Sequence, residues 1–108
     1  MVEYNTKLDA IFQSLADPTR RDMLRRLAPG EQTVGELARQ YKLSFASVSK
    51  HLQVLERAKL VRKKRSGREQ RVTLSPAGLK QADKYLEQYR VMWEEKLDRL
   101  EIFLKNSK

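Results

Sequence analysis

The chain has 108 residues, 40% apolar and 34% charged, with a formal charge of +9 and a pI near 10.0. That length suits one domain spanning 1–108 with a modest core, and the composition is globular rather than disordered. With no cysteine, disulfides, thiol redox sensing and thiolate metal sites are excluded. No apolar run approaches the roughly 18 residues of a membrane span, and MVEYNTKLDA lacks a signal peptide's apolar core, so a cytoplasmic location is expected.

Leu8, Ile11, Phe12 and Leu15 recur at helical spacing and predict a first helix over about Asn5 to Ala16. Asp17 has the chemistry of an N-cap with Pro18 at the first helical position, and Met23, Leu24 and Leu27 form the stripe of a second helix that Pro29-Gly30 ends. Thr33-Val34-Gly35-Glu36 has capping-box spacing and opens a short third helix carrying Leu37, Ala38 and Tyr41. After Lys42-Leu43-Ser44 a fourth helix starts, with Ser44 as N-cap and Val48, Leu52 and Leu55 on its buried side. Two short helices joined by a tight turn, about 33–58, read as a helix-turn-helix.

From Leu60 to Leu74 the period drops to about two. Val61, Val72 and Leu74 are expected to face inward, and Ser66-Gly67-Arg68-Glu69 forms the turn of a basic hairpin over about 60–74. Ser75-Pro76 repeats the cap-then-proline start, and a single long helix is expected over about 76–104, roughly 43 Å at about 1.5 Å per residue. Its apolar positions Leu79, Ala82, Leu86, Tyr89, Trp93, Leu97, Leu100 and Leu104 step by three or four, widened by Tyr85, Met92 and Phe103. This is more apolar helix than a small core needs, so part of the stripe is expected to meet another chain.

Charge is concentrated where the hairpin adjoins the fourth helix. Residues 50–71 hold nine Lys or Arg against Glu56 and Glu69, a net +7 of the chain's +9. A charge run of this kind is either a solvated face or the footprint of a polyanion. A helical wheel places Ala46, Lys50, Gln53 and Arg57 opposite the buried stripe. Lys50 suits guanine O6/N7, Gln53 adenine N6/N7, and Ala46 a thymine methyl in the major groove. Ser47 and Ser49 lie on the flanks, where short hydroxyls suit phosphate oxygens or merely mark a helix start. His51, about 60° from the core centre, is a boundary residue: packed and hydrogen-bonded, or else touching the phosphate backbone. With no second histidine or cysteine it gives little support to a metal site. Lys64, Arg65, Arg68 and Arg71 surround the Gly67 turn, where they suit a minor groove or its phosphates, and also protect a strand edge.

The stretches LADPTRRDMLRRL, TVGELARQYKLSFASVSKHLQVLERAKLV and RKKRSGREQRVTLS, followed by the long helix after SPAGL, cover nearly the whole chain. Together they resemble the ArsR-type winged-helix repressors of bacteria and archaea. The resemblance implies a mainly α fold with a small β-hairpin, a winged helix-turn-helix whose long C-terminal helix dimerises. It also implies a homodimer that joins through the first and last helices and sets a recognition helix and wing from each subunit on a near-palindromic operator in double-stranded DNA. On that basis Ser44, Ala46, Ser47, Ser49, Lys50, His51, Gln53, Arg57, Lys64, Arg65, Arg68 and Arg71 are the candidate DNA contacts. Leu8, Ile11, Phe12, Tyr89, Met92, Trp93, Leu97, Leu100 and Leu104 are the candidate dimer contacts.

The chain departs from the family's metal sensors. Thr33-Val34-Gly35-Glu36 stands where they carry a cysteine pair, and the long helix has no histidine; Glu94, Asp98 and Glu101 have the spacing of ordinary solvated surface. Metal sensing is therefore not inherited, and no cofactor is expected. The ending QYRVMWEEKLDRLEIFLK looks like the branch without metal ligands, whose members are relieved by an anti-repressor protein or an unidentified ligand. The family often has glycine where Lys59 stands; a positive φ there costs on the order of 1 kcal/mol for a lysine. The leading expectation is a transcriptional repressor, nucleoid-associated when bound to DNA. The alternative is a basic interaction module for RNA or an acidic protein. An enzyme is not expected, since no P-loop, G-x-G-x-x-G or nucleophile-base constellation is present.

Overall fold

The computed structural model describes Val2 and residues 4–107. In chain order the elements are α1 (Thr6–Leu15), α2 (Pro18–Leu27), β1 (Gln32–Thr33), α3 (Val34–Gln40), α4 (Phe45–Arg57), β2 (Val61–Ser66), β3 (Glu69–Leu74) and α5 (Pro76–Asn106). The helices start where short polar side chains take up orphan backbone donors. Asn5 Oδ1 accepts from Leu8 N (3.1 Å), Asp17 Oδ1 from Thr19 N (2.8 Å) and Arg20 N (3.1 Å), Thr33 Oγ1 from Glu36 N (3.1 Å), and Ser44 Oγ from Ser47 N (3.1 Å). The reciprocal half of the Thr33–Glu36 box takes another form, with Thr33 Oγ1 donating to Glu36 Oε1 (3.2 Å). Ser75 makes no side-chain cap; its N–H donates to Leu60 O (2.9 Å), tying the start of α5 to the start of β2.

One apolar cluster holds these elements together. Leu8 and Ile11 of α1, Met23 and Leu27 of α2, Val34 and Leu37 of α3, Val48, Leu52 and Leu55 of α4, Val61 and Val72 of the sheet and Ala82 of α5 are all buried. The sheet has three antiparallel strands in the order β1-β3-β2, not two, because Gln32 and Thr33 pair with Val72 and Arg71. A two-residue strand carries no periodicity, so nothing in the sequence marks it.

The hairpin register pairs Val61 with Leu74, Lys63 with Val72 and Ser66 with Glu69, leaving Gly67 and Arg68 as the turn. Gly67 has φ +63° at the first central position, where a type II′ hairpin turn takes glycine. Leu74 shares a face with Val61 as its spacing requires, but at the strand's end it is 41% exposed, not buried. It lines an apolar groove with Leu15, Leu24, Leu60 and Leu79.

The exit from α4 fixes the direction of α5. Lys59 N donates to Glu56 O and Leu60 N to Leu55 O (both 3.0 Å), the paired bonds of a Schellman motif, with Lys59 in the left-handed region at φ +61°. Lys59 O then accepts from Gly78 N (2.8 Å) in the first turn of α5. A Cβ on Gly78 would lie 2.3 Å from Ala58 O, so only glycine allows this approach. Past Tyr85, every residue of α5 to Asn106 is exposed. No helix among the described residues is long and apolar enough to cross a membrane.

Candidate nucleic-acid interface

Two side-chain networks set the helix-turn-helix against the rest of the body. Arg20 of α2 donates through Nε to Ser14 O (2.8 Å) and through Nη2 to Gln13 O (2.9 Å), and its Nη1 stands 3.4 Å from His51 Nδ1 on α4. It thereby satisfies open carbonyls at the end of α1 and braces the flank of α4. Asp22, two residues further along α2, accepts from Tyr41 Oη (2.6 Å), Arg26 Nε (2.7 Å) and Arg25 Nη2, while the Arg26 guanidinium lies 5.1 Å from the Tyr41 ring centroid. The Tyr41 hydroxyl, then Arg26 and Arg25, hold the Asp22 carboxyl well below the usual carboxylate range. Burial, and then the Asp22 carboxylate, push the Tyr41 phenol up to about 12. A charged acceptor thus locks the end of α3 to α2, immediately before the turn into α4.

With α4 held this way, Ala46, Lys50, Gln53 and Arg57 are exposed on the side away from Val48, Leu52 and Leu55, each of which is fully buried. Ser47 and Ser49 are half-buried on the flanks. Ser44 and Ser47 serve the helix start, since Ser44 Oγ also donates to Ser47 Oγ (3.0 Å). His51 is half-buried beside Arg20, which matches the packed reading of a boundary histidine.

The wing lies alongside the start of α4. Arg65 and Arg68 face Phe45, Glu36 and Arg39 across a cleft of about 400 Å³. Arg65 Nε leans over the turn toward Gly67 O (3.3 Å), and Lys63 Nζ lies 3.9 Å from Glu56 Oε1 on α4. Lys64 is exposed on the opposite face of the ribbon. Arg71 differs from the other wing cations: Glu31 Oε1 accepts from its Nη1 at 2.7 Å and Glu69 Oε2 lies 3.9 Å from its Nη2. Chiefly through the Glu31 hydrogen bond, its pKa is raised further.

Two exposed residues on this side were not singled out from the sequence. Arg39 lies in the last turn of α3, and Phe45 is the first residue of α4, with a ring 60% exposed. Phe45 continues the spacing of Val48, Leu52 and Leu55 one turn earlier, so helical periodicity counts it with the buried stripe, and only the packed structure shows its exposure.

Of the candidate dimer contacts, Leu8 and Ile11 are 8% and 1% exposed inside the protomer's own core. Phe12 is the exposed apolar residue of α1, its ring centroid 6.0 Å from that of Tyr85. Tyr89, Met92, Trp93, Leu97, Leu100 and Leu104 are all exposed along α5.

Comparison with known proteins agrees with this geometry. Residues 15–64 match a helix-turn-helix domain family. The HTH-type transcriptional regulator Rv2034 of Mycobacterium tuberculosis is 46% identical over 71 residues, 66% of this chain and 66% of that protein. The transcriptional repressor SdpR of Bacillus subtilis is 35% identical over 60 residues, 56% of this chain and 67% of that protein. The matches thus span about two thirds of the length of these relatives. The crystal structure of the ArsR family transcriptional regulator RHA00566 superimposes with a TM-score of 0.79 at 35% identity, over 87% of this chain and 97% of that one.

Proposed function

The chain belongs to the ArsR family of winged helix-turn-helix transcriptional regulators, and from that premise we propose that it is a homodimeric repressor that binds a near-palindromic operator. The observation that carries this reading is that α4 keeps an exposed polar face while its first residue shares a cleft with the cationic tip of the wing. Lys50 and Gln53 stand exposed with donors that match purine edges, and Arg65 and Arg68 of the wing share a cleft with Phe45 at the start of the same helix, with charge for the phosphates.

The dimer is supported by apolar surface that one protomer leaves uncovered. Leu79 is 61% exposed and lines two apolar grooves of about 420 and 290 Å³, and the stripe continues, exposed, through Trp93 and Leu97. A second copy related by a two-fold axis would cover both the groove and the stripe. Two recognition helices would then meet half-sites about 34 to 36 Å apart.

The test is selection of bound genomic fragments at physiological salt with excess random competitor DNA. Recovery of a near-palindromic site is expected; recovery without sequence preference, vanishing with salt, overturns the reading in favour of RNA or an acidic protein partner. On the recovered site, Lys50→Ala and Gln53→Ala are each expected to lose about 1 to 3 kcal/mol of discrimination at particular positions. Arg68→Ala is expected to weaken all sequences and flatten the salt slope. Equal losses on operator and random DNA for all three would remove the assignment of base contacts to α4.

A further inference from the structure

We propose that Phe45 is a specificity-determining residue that reads the C5-methyl group of a pyrimidine, thymine in unmodified DNA, at one position in each half-site. The inference rests on the operator-binding reading above and names a base contact within it. Phe45 is the first residue of α4, and its side chain is 60% exposed. It belongs neither to the buried core nor to the apolar residues packed against that core. Nothing in the fold therefore requires a ring here: Ser44 supplies the cap, and Val48, Leu52 and Leu55 supply the packing.

The position matches a base-reading role. In a helix-turn-helix the N-terminal residues of the recognition helix are those that contact base edges. Helical side chains lean toward the N-terminus, so the Phe45 ring projects ahead of α4 rather than back along it. It lines a cleft together with Arg65 and Arg68 of the wing. Cations placed there would hold the phosphates of the strand whose bases the ring faces. Among the groups that the four base pairs present in the major groove, the thymine methyl is the apolar one, and phenylalanine is an established partner for it. A ring that would otherwise expose apolar surface among charged side chains, Arg39, Arg65 and Arg68 with Glu36 and Glu69, thus gains an apolar partner in the complex.

The same methyl occurs on 5-methylcytosine, so the test separates methyl from base. Each thymine of the recovered operator is replaced in turn by uracil, which deletes the methyl and keeps the pairing. One position per half-site is expected to lose about fourfold in affinity, the equivalent of one buried methyl at about 0.8 kcal/mol. Phe45→Ala should bind the unmodified operator more weakly by at least that factor and no longer distinguish thymine from uracil there; Phe45→Leu should keep part of the difference. At the same position the native protein should prefer 5-methylcytosine over cytosine by a similar factor, and Phe45→Ala should not.

A uracil scan with no sensitive position, or sensitivity that survives in Phe45→Ala, overturns the proposal while leaving the repressor reading intact. A large drop in the melting temperature of Phe45→Ala also overturns it, because it would place the ring in the fold's stability. Failure to recover any operator is a failure of the repressor reading itself and is seen before the scan begins.

Discussion

The first third of α5 and the remaining two thirds carry one continuous apolar spacing in opposite circumstances. Up to Tyr85 the helix lies against α1: Ala82 is 3% exposed, and the Tyr85 ring packs on Phe12. From Leu86 to Asn106 every residue is exposed, although Trp93, Leu97, Leu100 and Leu104 continue the same apolar stripe. An apolar stripe at period 3.6 records that a face will be covered, not which chain covers it. The first segment is anchored by Lys59 and Gly78; the second, among the described residues, is held by its own backbone ladder and by side-chain pairs such as Arg90 with Glu87 (2.8 Å) and Lys105 with Glu101 (3.2 Å), exposed contacts worth little.

The sharpest way to break this contrast is to damage each region separately. Leu52→Ala empties a fully buried site in α4 and should cost about 2 to 5 kcal/mol. Leu97→Asp lies outside the protomer's core and should leave that core folded, converting dimer to monomer in sedimentation and abolishing tight operator binding. A Leu97→Asp variant that stays dimeric and binds normally would remove α5 from the interface.

The anchor can be tested in both directions. Gly78→Ala forces a Cβ into the Ala58 carbonyl and should destabilise by about 1 to 3 kcal/mol. Lys59→Gly relieves the left-handed backbone at φ +61° and should stabilise by about 1 kcal/mol. Urea denaturation of both variants measures the pair. Equal, near-zero effects would mean that the turn does not set the direction of α5.

The smallest expected effect is on the α2–α3 lock. The folded Tyr41 pKa, about 12, lies above its ordinary value near 10. The stabilisation is therefore full below pH 10 and is lost as pH rises toward 12. Tyr41→Phe should flatten the fall in melting temperature over that window and leave the neutral-pH fold intact. An unchanged alkaline slope would show that other groups carry it.

Much of this was legible in the sequence because it is governed by short-range rules. Asp17-Pro18, the Thr33 to Glu36 spacing and Ser44 are local capping chemistry, and each N-cap formed as its residue types dictate. Val48, Leu52 and Leu55 fixed the buried side of α4, and with it the exposure of Lys50 and Gln53. Helical periodicity could not show that Leu8 and Ile11 are consumed by the protomer's own core. Both lie on the stripe with Phe12, and only the packing of α1 against α4 and α5 separates them. Arg71 reads as one cation among several until β1 pairs with β3 and the preceding loop brings Glu31 to its guanidinium.

The sequence by itself determined the order and kind of the main helices and the hairpin, the side of α4 that turns outward, and the place where positive charge gathers. These follow from periodicity, caps and composition, which act within a few residues. The tertiary structure alone decided the third strand, the half-exposed end at Leu74, the neutralisation of Arg71, and the Phe45 ring left beside the wing. Each depends on two segments distant in sequence meeting at a distance of a few ångströms, and local pattern carries no information about such a meeting.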